Sequence, residues 1–166
     1  MPWITVISIV LSISLIQTTL LAYISVLGIQ PDLFIIFLVY VSLNSDLEGA
    51  FYANWMTGLA KDFFSEGPFG ISAIIFVAVG YLISMTKDNI FRNNLTTQVL
   101  VTLVISSIYN LLYLFMLSIS LASASLFMLV WKCPMIAIYN SLIALPIFWL
   151  FKRFFSSLGI SSLIRR

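Results

Sequence analysis

The sequence contains no histidine and a single cysteine, Cys133. Zinc-protease motifs, Ser-His-Asp triads, haem ligation and histidine proton relays all need imidazole, so each is excluded. A lone cysteine supports neither a disulfide framework nor a thiolate metal cluster. Charge is equally scarce. Lys, Arg, Asp and Glu make up 8% of the 166 residues, against about a quarter in an ordinary soluble domain. No cofactor, metal or nucleic-acid partner is expected.

What fills the space is apolar. With 61% hydrophobic residues and a mean hydropathy of +1.11, the chain lacks the polar side chains needed to cover a water-facing surface. Its surface is expected to face lipid. The apolar runs are long and continuous, whereas a barrel would show segments of about ten residues alternating inward and outward. The fold class is therefore an all-α integral membrane protein with one domain. The opening "MPWITVISIV" has no basic n-region, and no small-residue cleavage site follows its run, so the first segment is expected to remain as an anchor.

Four runs reach or approach the roughly 20 apolar residues that cross about 30 Å of hydrocarbon: Ile4 to Leu27, Gly70 to Thr86, Leu95 to Ile119 and Leu126 to Phe151. Between the first two, "NSDLEG" at Asn44 to Gly49 interrupts the sequence. Asp32 to Leu43 and Gly49 to Ala60 then read as two short helices of about 18 Å each. Six transmembrane helices are expected, the second and third short, over residues 1–153, with a short basic tail at 154–166; a re-entrant hairpin over Asp32 to Ala60 is the alternative and leaves the sidedness unchanged. Loop charge orients them. Lys87, Arg92, Lys152, Arg153, Arg165 and Arg166 belong on the cytoplasmic side, which places both termini inside and the segment Lys61 to Phe69 outside.

Two features of the short third helix stand out. In steps of four, Gly49, Ala53 and Thr57 form one ridge and Ala50, Asn54 and Gly58 the next. Small residues at that spacing let backbones approach closely, either inside the bundle or against a partner. The helix then ends in Lys61 and Asp62, where charges can snorkel to the interface. Gly67, Pro68 and Gly70 form a tight turn whose backbone N–H groups Asp62 can receive. "GIQPDL" at Gly28 to Leu33 is a matching corner, with Pro31 at a first-turn position and Asp32 offsetting the helix dipole.

The order of these pieces resembles a known family. Gln17-Thr18 in the first span, "PDL" opening the second, "GLAKD" closing the third and "GPFG" turning into the fourth are similar to the bacterial rod shape-determining protein MreD family. The resemblance extends over about the first ninety residues. Gly58, Leu59 and Asp62 match the family pattern, while Lys61 departs from it. The resemblance implies a non-catalytic inner-membrane component of the cell-elongation machinery. Its direct partner would be the bitopic protein MreC, with links to the RodA glycosyltransferase, its transpeptidase partner and, indirectly, the MreB filament. It also implies a fold similar to the substrate-binding component of energy-coupling-factor transporters, and so an alternative function as a solute-binding subunit of a vitamin transporter.

Other polar residues carry weaker signals. Thr5, Ser8, Ser12 and Thr19 form a stripe on the first helix whose hydroxyls can bond their own helix carbonyls, a sign of internal packing. Gln17, Asn110 and Asn140 are expected to make interhelical hydrogen bonds, because an unpaired amide is costly in lipid.

Overall fold

The computed structural model describes residues 3–19, 29–65, 67–87, 94–120 and 126–157. These form six helices: α1 (Trp3–Thr19), α2 (Leu33–Asn44), α3 (Leu47–Phe64), α4 (Ile71–Thr86), α5 (Leu95–Ser120) and α6 (Leu126–Ser157). Among the described residues there is no β-strand. Gly28, Glu66, Arg92, Arg165 and Arg166, together with the expected end of the first span at Leu27, lie outside the described residues. α6 continues unbroken past 153, where the tail was expected to start.

α2 is the axis of the bundle. Every residue from Leu33 to Leu43 is buried, and all five other helices touch it. Its sequence, LFIIFLVYVSLN, is apolar on all sides, which is what a helix needs when every side meets another helix. Aromatic contacts lock it to α6: Phe37 meets Phe151 edge-on at 5.6 Å between centroids, and Tyr40 lies 5.2 Å from the same ring. At one end Asp32 caps it, its Oδ1 accepting from Phe34 N at 3.1 Å. At the other, Ser45 closes the helix and Asp46 caps α3 at once, receiving Gly49 N. Lys87 donates to the Ser45 carbonyl at 2.7 Å and ties this turn to the end of α4.

α3 is longer than the sequence suggested. Expected over Gly49 to Ala60, it covers 18 residues, because capping at Asp46 starts it early and the helical bonds run on through Lys61 and Asp62 to Ser65. About 27 Å of helix results. Of the two helices expected to be short, only α2 is so, at 12 residues.

Two segments are long and apolar enough to cross a bilayer, Thr96–Met116 within α5 and Trp131–Arg153 within α6. Ile4–Thr19, Leu33–Asn44 and Ile71–Thr86 are apolar but shorter. The stripe on α1 bonds back as expected, Ser8 to Ile4 O and Ser12 to Ser8 O, both at 2.8 Å. It does not pack, however. Ser8, Ser12 and Thr19 are exposed, and the hydroxyls stand outward because Val6, Ile9, Val10 and Ile13 fill the inner face.

Candidate functional site: a polar cluster at the helix corners

Small residues bring α3 and α4 together. A Cβ added to Gly58 would stand 2.5 Å from Ala73 Cα and 2.9 Å from the Ser72 carbonyl oxygen, so the two backbones are in direct contact there. Two turns of helix further along, Gly80 of α4 leaves room for the Asn54 amide, which donates to Ser42 Oγ at 2.8 Å. Ala50, Ala53, Asn54, Thr57 and Gly58 are all buried by the chain's own helices, with Gly49 half-buried at the end. Of the two readings open to this ridge, packing inside the bundle or against a partner, the structure has the first: it faces inward. Its small residues are consumed by α4, which presents Ala73 and Gly80 to them.

That close approach sets up the corner. α4 begins at Gly70, whose φ of +99° lies in the left-handed region and whose missing side chain provides no cap. Asp62 supplies one from across the turn. Its Oδ2 accepts from Gly70 N at 2.9 Å and Ala73 N at 3.2 Å, and its Oδ1 accepts from Ser72 N at 3.0 Å. A carboxylate facing the N–H groups of a helix N-terminus also meets the positive end of its dipole. Asp62 is 4% exposed, so water replaces none of these bonds.

Asp62→Asn tests this cap. The amide keeps one acceptor oxygen and turns an NH2 group toward a backbone donor, so at least one buried N–H is orphaned. Hydrogen bonds to a charged group contribute about 1.5 to 3 kcal/mol each. A loss of about 2 to 4 kcal/mol is expected in detergent unfolding, and stability within error of the parent would show that the charge is dispensable.

Lys61 turns inward as well. It pairs with Asp32 Oδ2, and the two side chains are only 14% and 16% exposed. Its Nζ lies 4.0 Å from the Tyr109 ring centroid and 5.6 Å from that of Phe76. Snorkelling to water is thus corrected by the geometry, since an opposite charge and an aromatic face reach the ammonium first. Tyr109 in turn shares a hydrogen bond with Ser72 at 2.9 Å, joining the cation's surroundings to the start of α4.

The start of α2 is held from two further sides. Gln17 clamps it with both amide atoms, donating to the Pro31 carbonyl at 2.9 Å and accepting from Leu33 N at 3.0 Å. Asn140 accepts from Asp32 N at 2.7 Å and donates to Ser106 Oγ at 2.7 Å. Residues of α1, α3, α5 and α6 therefore converge on one helix end. Asn110 behaves differently from expectation: among the described residues it donates to the Ser106 carbonyl of its own helix at 2.7 Å. One turn along α5, Ser106 occupies the interhelical position instead.

The structure thus brings Gln17, Pro31, Asp32 and Asp62 of the sequence-derived corner residues into one cluster, with Gly70 bonded to its edge. Gly67 lies against the Tyr113 phenol, where an added Cβ would be 2.5 Å from the hydroxyl, and Pro68 is exposed. Ser72, Ser106, Tyr109 and Gly80 were missed. Ser106 and Tyr109 are three apart on one face of α5, a spacing too common among small and aromatic residues to single them out. Among the described residues, no three His, Cys, Asp or Glu side chains converge as a metal site requires.

Two helices of this bundle are long and apolar enough to cross a membrane, and its interior polar groups bind helix to helix. The model of the rod shape-determining protein MreD family matches residues 1–158, and the chain belongs to that family. It is thereby a membrane protein with a role in rod shape determination, in a family not known for catalysis. No curated protein and no solved structure matches the chain.

Proposed function

We propose that the protein is a non-catalytic scaffold of the rod-shape machinery, a multi-pass protein of the bacterial inner membrane that holds the single span of MreC and helps arrange peptidoglycan synthesis. RodA, its transpeptidase partner and MreB would be reached through that contact. The observation that carries this reading is the family match over residues 1–158. In the proposed topology all six helices cross, the corners lie outside and both termini are cytoplasmic, as the basic residues Lys87, Lys152 and Arg153 favour.

The interior supports the non-catalytic part. Gln17, Asp32, Lys61, Asp62 and Asn140 are each spent on fixing a helix end. A solute-binding subunit needs polar groups that converge on a cavity and stay available to a ligand. Here Gln17 and Asn140 bind neighbouring helices and Asn110 bonds its own, which weighs against the vitamin-transporter alternative.

With the small-residue ridge buried, a partner helix must use the outer faces. Photo-crosslinkers at Trp55, Tyr81, Phe115 and Leu142, all exposed and one on each of α3 to α6, survey that surface. The expected result is covalent capture of MreC from one or two adjacent positions in intact membranes. If all four positions, and their neighbours one turn away, yield only lipid adducts, the scaffold reading fails.

A further inference from the structure

The corner between α3 and α4 is inverted relative to a water-facing turn. Among its described residues the charges, Lys61 and Asp62, point inward, while Phe63, Phe64 and Phe69 are 75%, 56% and 62% exposed, with the rings of Phe63 and Phe69 in edge contact at 5.0 Å; Glu66 of the same turn lies outside the described residues. A turn that meets bulk water does better with the opposite arrangement, since exposed apolar area is unfavourable there. Apolar lipid favours what is observed.

Level with the rest of the bundle, this corner is low. Ser72 bonds Tyr109 and Gly67 lies against Tyr113, so the turn sits beside those residues of α5. α5 continues to Ser120, about 10 Å past Tyr113. Its side chains on the way, Phe115 and Met116, are exposed and apolar. On α6, Asn140 is level with Asp32, and Trp131 stands about 13 Å further along. Met135 and Ile138 between them are exposed and apolar too. Exposed apolar side chains therefore line the α5–α6 pair up to Lys132, itself exposed beside Trp131, and that level is taken as the top of the hydrocarbon on this side.

On the other side it cannot reach as high. Among the described residues the turn at 67–69 shows one backbone–backbone bond, Ile71 N to the Pro68 carbonyl, and a turn's other backbone groups need headgroups or water, which the acyl region does not offer. We propose that the bilayer leaflet on the corner side dips by about 10 Å between the α5–α6 hairpin and the α3–α4 corner, with the three phenylalanines seated at its headgroup boundary. The partner recognised by this surface is lipid, and the protein is a local thinner of one leaflet. This rests on membrane residence alone and not on the scaffold reading.

Two nitroxide probes test it in dioleoylphosphatidylcholine vesicles. Phe69→Cys and Trp131→Cys, each made with Cys133→Ala, place single labels at exposed positions where folding is not at stake. Depth is read from the ratio of oxygen to nickel-chelate accessibility, which reports distance from the local headgroups. A dipped leaflet gives both labels interfacial ratios that agree within about twofold. A flat leaflet gives either a Phe69 label about two helical turns deeper than the Trp131 label or a Trp131 label in water, and either overturns the proposal.

Discussion

Gly58→Leu is expected to leave no folded protein, in the presence or absence of any partner. At this site even the first added carbon would lie 2.5 Å from Ala73 Cα and 2.8 Å from Ala73 N. Both obstacles are backbone, so no rotamer change relieves them, and α4 must move away from α3. Overpacking a tight core costs about 1 to 3 kcal/mol and occasionally more. The displacement here also pulls Ser72 N and Ala73 N off Asp62, removing two of the three bonds that cap α4. The combined loss is expected to exceed about 4 kcal/mol, enough to unfold a protein of ordinary marginal stability.

Gly58→Ala gives the sharper reading of sign. Alanine is favoured over glycine inside a helix by about 1 kcal/mol, so an unobstructed site would be stabilised. The contact with Ala73 opposes that gain, and backbone cannot yield by the half ångström or more that an ordinary contact requires. A fall in thermal midpoint of detergent-solubilised protein is expected, with Gly58→Leu recovered only as aggregate by size-exclusion chromatography. A monodisperse, stable Gly58→Leu protein would mean that α3 and α4 do not meet in this way.

The spacing of small residues on α3 was legible in the sequence, yet its direction was not. A ridge of Gly, Ala and Thr states that some backbone approaches closely and says nothing about whose. The answer lay in α4, where Ala73 and Gly80 supply the complementary face without a regular pattern of their own. α2 posed a related difficulty. Its uniform apolarity predicted a helix, but a helix with no polar face has no orientation to read, so its place at the centre of five others emerged only from packing.

Lys61 differs for another reason. It is adjacent to Asp62, whose capping of the turn is legible in the sequence, and stands near the end of an apolar run, where snorkelling is the simplest account of a lysine. Consecutive helical residues point about 100° apart, so adjacency in sequence does not imply a shared environment. One reaches Asp32, 29 positions earlier, and the other reaches the first turn of α4. The corner at "PDL" and the corner at "GLAKD" were each visible as caps. That a cation joins them required three-dimensional proximity which local pattern does not encode.

Lys61→Met therefore carries the second large effect, and its sign depends on Asp32. Removing one member of a buried ion pair costs about 3 to 5 kcal/mol, because the remaining charge keeps its desolvation penalty and loses its partner. The pair here keeps some exposure, and Asp32 retains its bonds from Phe34 N and Ile35 N, so the lower end of that range is expected. Asp32→Asn added to Lys61→Met removes the orphaned charge, and asparagine caps a helix about as well as aspartate. The double variant should then recover at least about 2 kcal/mol of the loss, measured as the shift in unfolding midpoint in mixed detergent. Strict additivity of the two single changes would show that the groups do not interact, and Lys61 would then have to be solvated at the end of α3 after all.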